Sequence, residues 1–277
     1  MNFNLFETAK KNRIVVAHRG TCGGNIPCNT LASYGIALKQ GADMIEVDVE
    51  MSADGKLFVF HPGMEPWHLF HRDRISRMSS EDIAHLRFVN TDCVATQFGI
   101  NTFDDILEAF KDKCYINVDK FWGHPKEISE AIRRHKMEDQ ILVKSTLSDK
   151  VLNVLEEVAP NLPFMAIVRD THEAHESLMH RSIHYIGAEV LFKSEDCEVA
   201  SPAFIEKMHK DGKLVWVNSI IYDYREQLSA GHSDDTALTE SEEIGWGWLA
   251  DKGFDMIQTD WPLMLINYLK ETGKYYR

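Results

Sequence analysis

The chain has 277 residues, 44% of them apolar, with 43 acidic against 30 basic side chains and a formal charge of −13. That length suits one large domain or two small ones, and the apolar share is ample for a buried core. The negative charge argues against a generic nucleic-acid or anionic-membrane surface, so any phosphate site must be locally positive.

Short, apolar, β-branched runs predict strands over 14–18, 44–49, 115–119, 141–145, 164–168, 189–193, 214–218 and 255–259. Such runs suit parallel strands buried on both faces. Helical segments are predicted over 30–39, 125–136, 148–158, 171–181, 202–210, 239–250 and 262–270. Pro125, Pro202 and Pro262 stand where a first helical turn tolerates proline. Asp54-Gly55 predicts a hairpin turn that leads the chain back through 57–60 to His61. Ser79-x-x-Asp82 and Thr102-x-x-Asp105 resemble capping boxes and start two further helices. Eight strand–helix units make a single (β/α)8 TIM barrel over 1–277 the natural closed solution, with a β-hairpin and a small insertion after the second strand. A doubly wound open sheet is the alternative, but polar residues recur at the strand ends, where such barrels keep their active sites.

Glu46 and Asp48 lie two apart in the apolar run MIEVDV and so share a strand face. Two like charges side by side resist burial, and a divalent cation is the simplest compensation. Oxygen ligands favour Mg²⁺ or Ca²⁺ over zinc. A wetted edge strand is the alternative for the pair taken alone. His18 ends the first strand and is followed by Arg19 and Gly20, and His61 follows the hairpin. Two imidazoles, a guanidinium and paired carboxylates suit phosphodiester cleavage. Asp119 shares a face with Asn117 on the next strand and completes the metal set. Lys144, at the end of another strand, either contacts phosphate or snorkels to the barrel rim. Trp216 either walls the substrate pocket or fills a barrel layer. His68-x-x-His71 and His172-x-x-His175 have ligand-like spacing and are read as surface coincidences. The long segments 62–101 and 222–243 are candidates to cover the substrate or mediate self-association, with a solvated insertion the alternative for the acidic 222–243.

These residues carry a resemblance to the glycerophosphodiester phosphodiesterase family. The matching pieces are His18-Arg19-Gly20, Asn29-Thr30, Gly41-Ala42-Asp43, Glu46-x-Asp48, Asp54-Gly55-Lys56, His61, Asn117-Val118-Asp119, the strand ending at Asn218, and Thr259-Asp260-Trp261-Pro262. They span nearly the whole chain in the family's order. Four positions depart from it. Cys28 and Asp119 stand where the family usually has glutamate, Pro62 where it has aspartate, and Phe121 where it has lysine.

The resemblance implies metal-dependent hydrolysis of glycerophosphodiesters to sn-glycerol 3-phosphate and an alcohol. Glu46, Asp48 and Asp119 would hold the cation. Arg19, Lys144 and Trp216 would bind substrate, and His18 and His61 would act as acid and base. A phospholipase D-like lyase that stops at a cyclic phosphate, and a non-catalytic phosphodiester-binding protein, are the alternatives. The expected partner is a small-molecule phosphodiester, with no nucleic acid and no stable membrane insertion. Cys22, Cys28, Cys93, Cys114 and Cys197 include no C-x-x-C and are read as reduced thiols. With no apolar signal core and no run of transmembrane length, the expected location is cytoplasmic.

Overall fold

The computed structural model describes residues 3–225 and 227–276; Met1, Asn2, Glu226 and Arg277 of the expected 1–277 domain lie outside the described residues. Eight parallel strands close into a barrel: β1 (Ile14–Ala17), β2 (Met44–Met51), β4 (Tyr115–Asp119), β5 (Ile141–Thr146), β6 (Phe164–Arg169), β7 (Tyr185–Leu191), β8 (Leu214–Asn218) and β9 (Met256–Thr259). The ring closes where β1 pairs with both β2 and β9. A ninth strand, β3 (Leu57–Val59), runs antiparallel to the extended end of β2 and makes the predicted hairpin. The fold is the (β/α)8 TIM barrel.

Strand parity builds the site. Ile14, Val16, Met44, Tyr115, Leu142, Met165, Leu214, Trp216 and Met256 pack together as an apolar floor inside the barrel. The helix Leu5–Ala9 packs against that floor, and Tyr115 Oη bonds Asn4 N and Thr8 Oγ1 at 2.9 and 2.8 Å. The alternate residues, such as Val15, Ala17, Ile45, Val47 and Val118, face the helices outside. Two residues above the floor the same inward rows turn polar, giving Glu46 above Met44, Asn117 above Tyr115 and Lys144 above Leu142.

Helix ends follow the expected signals. Thr30 caps Leu31–Lys39 and Thr102 caps Phe103–Phe110, each in a reciprocal capping box with the third helical residue. Ser79 caps Ser80–His85. Pro125, Pro202 and Pro262 open their helices.

Four expectations need correction. The strand predicted over 189–193 is β7, which starts at Tyr185 and ends at Leu191. Its glycine weakens the strand pattern but is required there, because a Cβ on Gly187 would lie 2.0 Å from Leu214 O. The helix predicted over 171–181 is only His175–Met179. The helix predicted over 239–250 is a helix Asp234–Thr239, a π-turn Glu243–Gly247 and a helix Trp248–Lys252. His172 and His175 are buried rather than surface coincidences. Both lie on Tyr185 Oη, at 2.8 and 3.1 Å, and His175 Nε2 lies 3.0 Å from Asp211.

Candidate active site

Asp48 and Asp119 are register partners on adjacent strands, and Glu46 pairs with Asn117 one step below. Glu46, Asp48 and Asp119 each offer an oxygen within 4.8 Å of the others. Burial, then the charge of Asp48, pushes the Glu46 carboxyl up to about 7. Burial also opposes charge on Asp119, but Lys144 and Lys120 hold it below the usual carboxylate range. Asp48 is fully buried, and its Oδ1 has no hydrogen-bond partner among the described residues. Three converging carboxylates, one with an unfilled buried oxygen, fit a hard divalent cation.

A turn after β1 delivers His18 and Arg19. Arg19 and Gly20 take positive φ (55° and 79°), and a Cβ at Gly20 would lie 2.6 Å from the Ser33 carbonyl carbon. Glycine thus lets the Leu31–Lys39 helix dock against the turn. Arg19 N donates to Glu46 Oε2 at 3.0 Å. Arg19 Nε lies 2.9 Å from Asp48 Oδ2 but without hydrogen-bond alignment, which makes the contact an ion pair. Asn29 braces the same carboxylate. Its Nδ2 donates to Asp48 Oδ2 at 2.9 Å, and its own N donates to Arg19 O at 2.9 Å.

The two histidines are held differently. His18 Nδ1 lies 2.8 Å from Asp260 Oδ1. Burial alone would make this imidazole harder to protonate, but Asp260 and the charge of Glu46 outweigh it and raise its proton affinity. His61 has a buried Nδ1 with no hydrogen-bond partner among the described residues, and burial lowers its proton affinity. Pro62, which follows it, brings no carboxylate.

A cavity of about 590 Å³ opens over these groups and is lined by His18, Arg19, Glu46, His61, Asp119, Lys120, Lys144 and Glu189, with Trp122 and Tyr222 on its walls. Lys120 takes a left-handed backbone (φ 60°) that brings its Nζ 2.7 Å from Asp119 Oδ2 and 3.9 Å from Asp48 Oδ1. Lys144 reaches the cavity, but its Nζ is engaged by Glu189 Oε2 at 2.8 Å.

Trp216 does not wall the cavity. It is fully buried in the floor, 4.1 Å beneath the Lys144 ammonium, with its indole N–H donated to Asn218 Oδ1 at 3.0 Å. Glu189, Lys120, Asn29 and Asp260 stand at the site as well, although the sequence alone assigns them no role there. The clue for Glu189 was an acid at the head of an apolar strand run. For Lys120 it was a basic residue next to Asp119. Asn29 and Asp260 already stood in the matched motifs.

A family model described as a domain of unknown function (DUF4996) matches residues 164–269. A glycerophosphodiester phosphodiesterase of Caldanaerobacter subterraneus subsp. tengcongensis is 26% identical over 163 residues, which cover 54% of this chain and 64% of that protein. The matched stretch spans about two thirds of the length of the first curated relatives, at 67%, 64% and 66%. A glycerophosphoryl diester phosphodiesterase from Parabacteroides distasonis superposes with a TM-score of 0.80 at 18% identity, covering 99% of this chain and 95% of that one. An Oleispira antarctica phosphodiesterase, solved with the product sn-glycerol-3-phosphate, superposes with a TM-score of 0.70 at 20% identity, over 94% and 97% of the two chains. At these identities the superpositions establish the barrel fold. The relatives and structural neighbours repeatedly carry the name to which the motifs point, and the chain's resemblance is to the glycerophosphodiester phosphodiesterases. No helix among the described residues is long and apolar enough to cross a membrane.

Proposed function

We propose that this protein hydrolyses glycerophosphodiesters to sn-glycerol 3-phosphate and an alcohol in the cavity at the barrel mouth. The observation that carries this reading is the convergence of Glu46, Asp48 and Asp119 within 4.8 Å of one another, with Glu46 and Asp119 lining a cavity that His18 and His61 also line.

Glu46, Asp48 and Asp119 would hold Mg²⁺ or Ca²⁺, which when bound neutralises charge on the phosphate oxygens. Arg19 supplies a guanidinium to a second phosphate oxygen, with Asp48 fixing its position. Lys120 adds positive charge at the same wall. His61, whose proton affinity burial lowers, takes the proton of the attacking hydroxyl. His18, kept towards imidazolium by Asp260, gives a proton to the leaving alkoxide. In the reading that the family resemblance implies, the first nucleophile is the glycerol hydroxyl beside the phosphate. Water then opens the cyclic phosphate, with the two imidazoles exchanging roles.

The test is release of sn-glycerol 3-phosphate from glycerophosphocholine and glycerophosphoethanolamine in Mg²⁺, in Ca²⁺ and in EDTA. Release with a cation that EDTA abolishes is the expected result. Binding of either diester with no turnover under any condition would make the chain a phosphodiester-binding protein instead.

A further inference from the structure

Cys22 and Cys28 lie on the segment that joins Arg19 to Asn29. That segment folds back on itself. Gly23 N donates to Ile26 O and Ile26 N to Gly23 O, both at 3.0 Å, as a single antiparallel bridge. The bridge draws together the chain on either side of it, with Cys22 just before and Cys28 two residues after. Both cysteines line one cavity of about 230 Å³, beside Pro27, Trp67 and His68. Cys22 is exposed and Cys28 half-buried, and Cys28 Sγ lies 4.0 Å from His68 Nδ1.

We propose that Cys22 and Cys28 form a thiol pair that a hydroperoxide converts to a disulfide, and that this bond disturbs the phosphate-binding turn. The Cys22 thiolate attacks a peroxide oxygen. The O–O bond breaks, hydroxide or alkoxide leaves and takes up a proton, and Cys22 becomes a sulfenic acid. The Cys28 sulfur then attacks the sulfenic sulfur and expels water. Two thiols lose two electrons and two protons, and the peroxide ends as water plus an alcohol or a second water.

The Cys28 thiol brings the Cys22 thiol down to about 7, while Cys28 holds its own proton more tightly. That division gives an attacking thiolate near ambient pH and a resolving thiol beside it. Cys114, by contrast, is buried, and burial pushes its thiol up to about 12.

The site feels the bond because both ends of the segment touch the carboxylates. Arg19 N donates to Glu46 at 3.0 Å and Asn29 Nδ2 to Asp48 at 2.9 Å. A disulfide holds its two Cα atoms roughly 4.4–6.8 Å apart, so closing it fixes the geometry of the segment between these contacts. This effect on turnover rests on the phosphodiesterase reading; the thiol chemistry does not.

The reduced chain is treated with hydrogen peroxide, alkylated and digested with trypsin without reduction. Cleavage after Arg19 and Lys39 leaves both cysteines on one peptide. The bond is read as the loss of two hydrogens from that peptide, with neither cysteine alkylated. The expected species forms in the wild type, reverses with a dithiol and is absent from Cys22→Ser and Cys28→Ser. Diester hydrolysis falls about 10–100-fold as the bond forms and returns on reduction. Sulfinic or sulfonic acid at Cys22 with no looped peptide, at one rate in the wild type and in Cys28→Ser, overturns the proposal. A looped peptide with unchanged hydrolysis overturns the effect on the site. A looped peptide in a chain that hydrolyses no diester supports the thiol pair and overturns the phosphodiesterase reading.

Discussion

Asp260 Oδ1 sits 2.8 Å from His18 Nδ1, and so ties the end of β9 to the end of β1. The contact fixes the imidazole by one nitrogen, and in the proposed reaction the other nitrogen meets the substrate. It also raises the proton affinity of His18. Replacing Asp260 with Asn lowers that affinity. The rate limb that needs protonated His18, along which activity falls as pH rises, therefore moves to lower pH. The expected loss in kcat is ~10–100-fold, part of the 10²–10⁴-fold that a positioned acid–base group contributes, with KM held. A pH–rate profile of the two proteins checks it, and an unmoved limb would count against the pairing.

Asp234 holds Asp260 in turn. Its Oδ2 accepts from Asp260 N at 2.8 Å, and its Oδ1 accepts from Ser219 Oγ, Trp246 Nε1 and Thr259 Oγ1 at 2.6, 2.7 and 2.8 Å. The 222–243 segment is therefore anchored through a buried carboxylate to the strand that carries the site. An amide in its place turns an N–H₂ onto one of these donors. Asp234→Asn is expected to cost about 1–3 kcal/mol, the penalty of an unsatisfied buried group. The urea midpoint should fall at constant slope. The exposed neighbour Asp235→Asn should leave it unchanged.

Lys144 and Glu189 are both buried and lie 2.8 Å apart, with Asn218 Nδ2 donating to the other Glu189 oxygen at 2.6 Å. Removing one partner strands the other. Lys144→Met is expected to destabilise the fold by about 3–5 kcal/mol, and Lys144→Met with Glu189→Leu by much less. Equal losses in the single and double variants would contradict the pairing.

Burial pushes the Asp43 carboxyl up to about 6 from the ordinary 3.8. Between those values the folded chain keeps a proton that the unfolded chain has released. Asp43 thus contributes stability that is present in acid, is lost as pH rises from about 4 to about 6 and is level above. The full span is at most about 3 kcal/mol. Asp43→Asn cannot titrate, so the wild type's advantage over it should shrink across that window in urea titrations. A constant difference would exclude this origin.

Much of the site was legible because strand parity is local. Glu46 and Asp48 share a face by spacing alone, and Asp54-Gly55 announces the hairpin that returns His61. The rest depended on contacts distant in sequence. Glu189 reads as the start of a strand because Gly187 weakens the pattern before it. Only Lys144, on another strand, explains an acid in mid-barrel. Trp216 has a strand-compatible position for either wall or floor, and the depth of Lys144 above it decides for the floor. Lys120 has a left-handed backbone, which no local sequence pattern announces, and its ammonium meets Asp119 and Asp48. The burial of His172 and His175 follows from Tyr185, on a strand that their own spacing does not foretell.

In the proposed function, two imidazoles beside a triple-carboxylate cation site cleave a glycerophosphodiester. Phosphorus NMR of glycerophosphocholine incubated with Mg²⁺ or Ca²⁺ and the wild type, beside His18→Ala and His61→Ala, tests it most directly. The expected result is an sn-glycerol 3-phosphate signal from the wild type and rates about 10²–10⁴-fold lower in each variant. A persistent cyclic phosphate would make the protein a lyase, and near wild-type turnover in either variant would contradict the histidine pair.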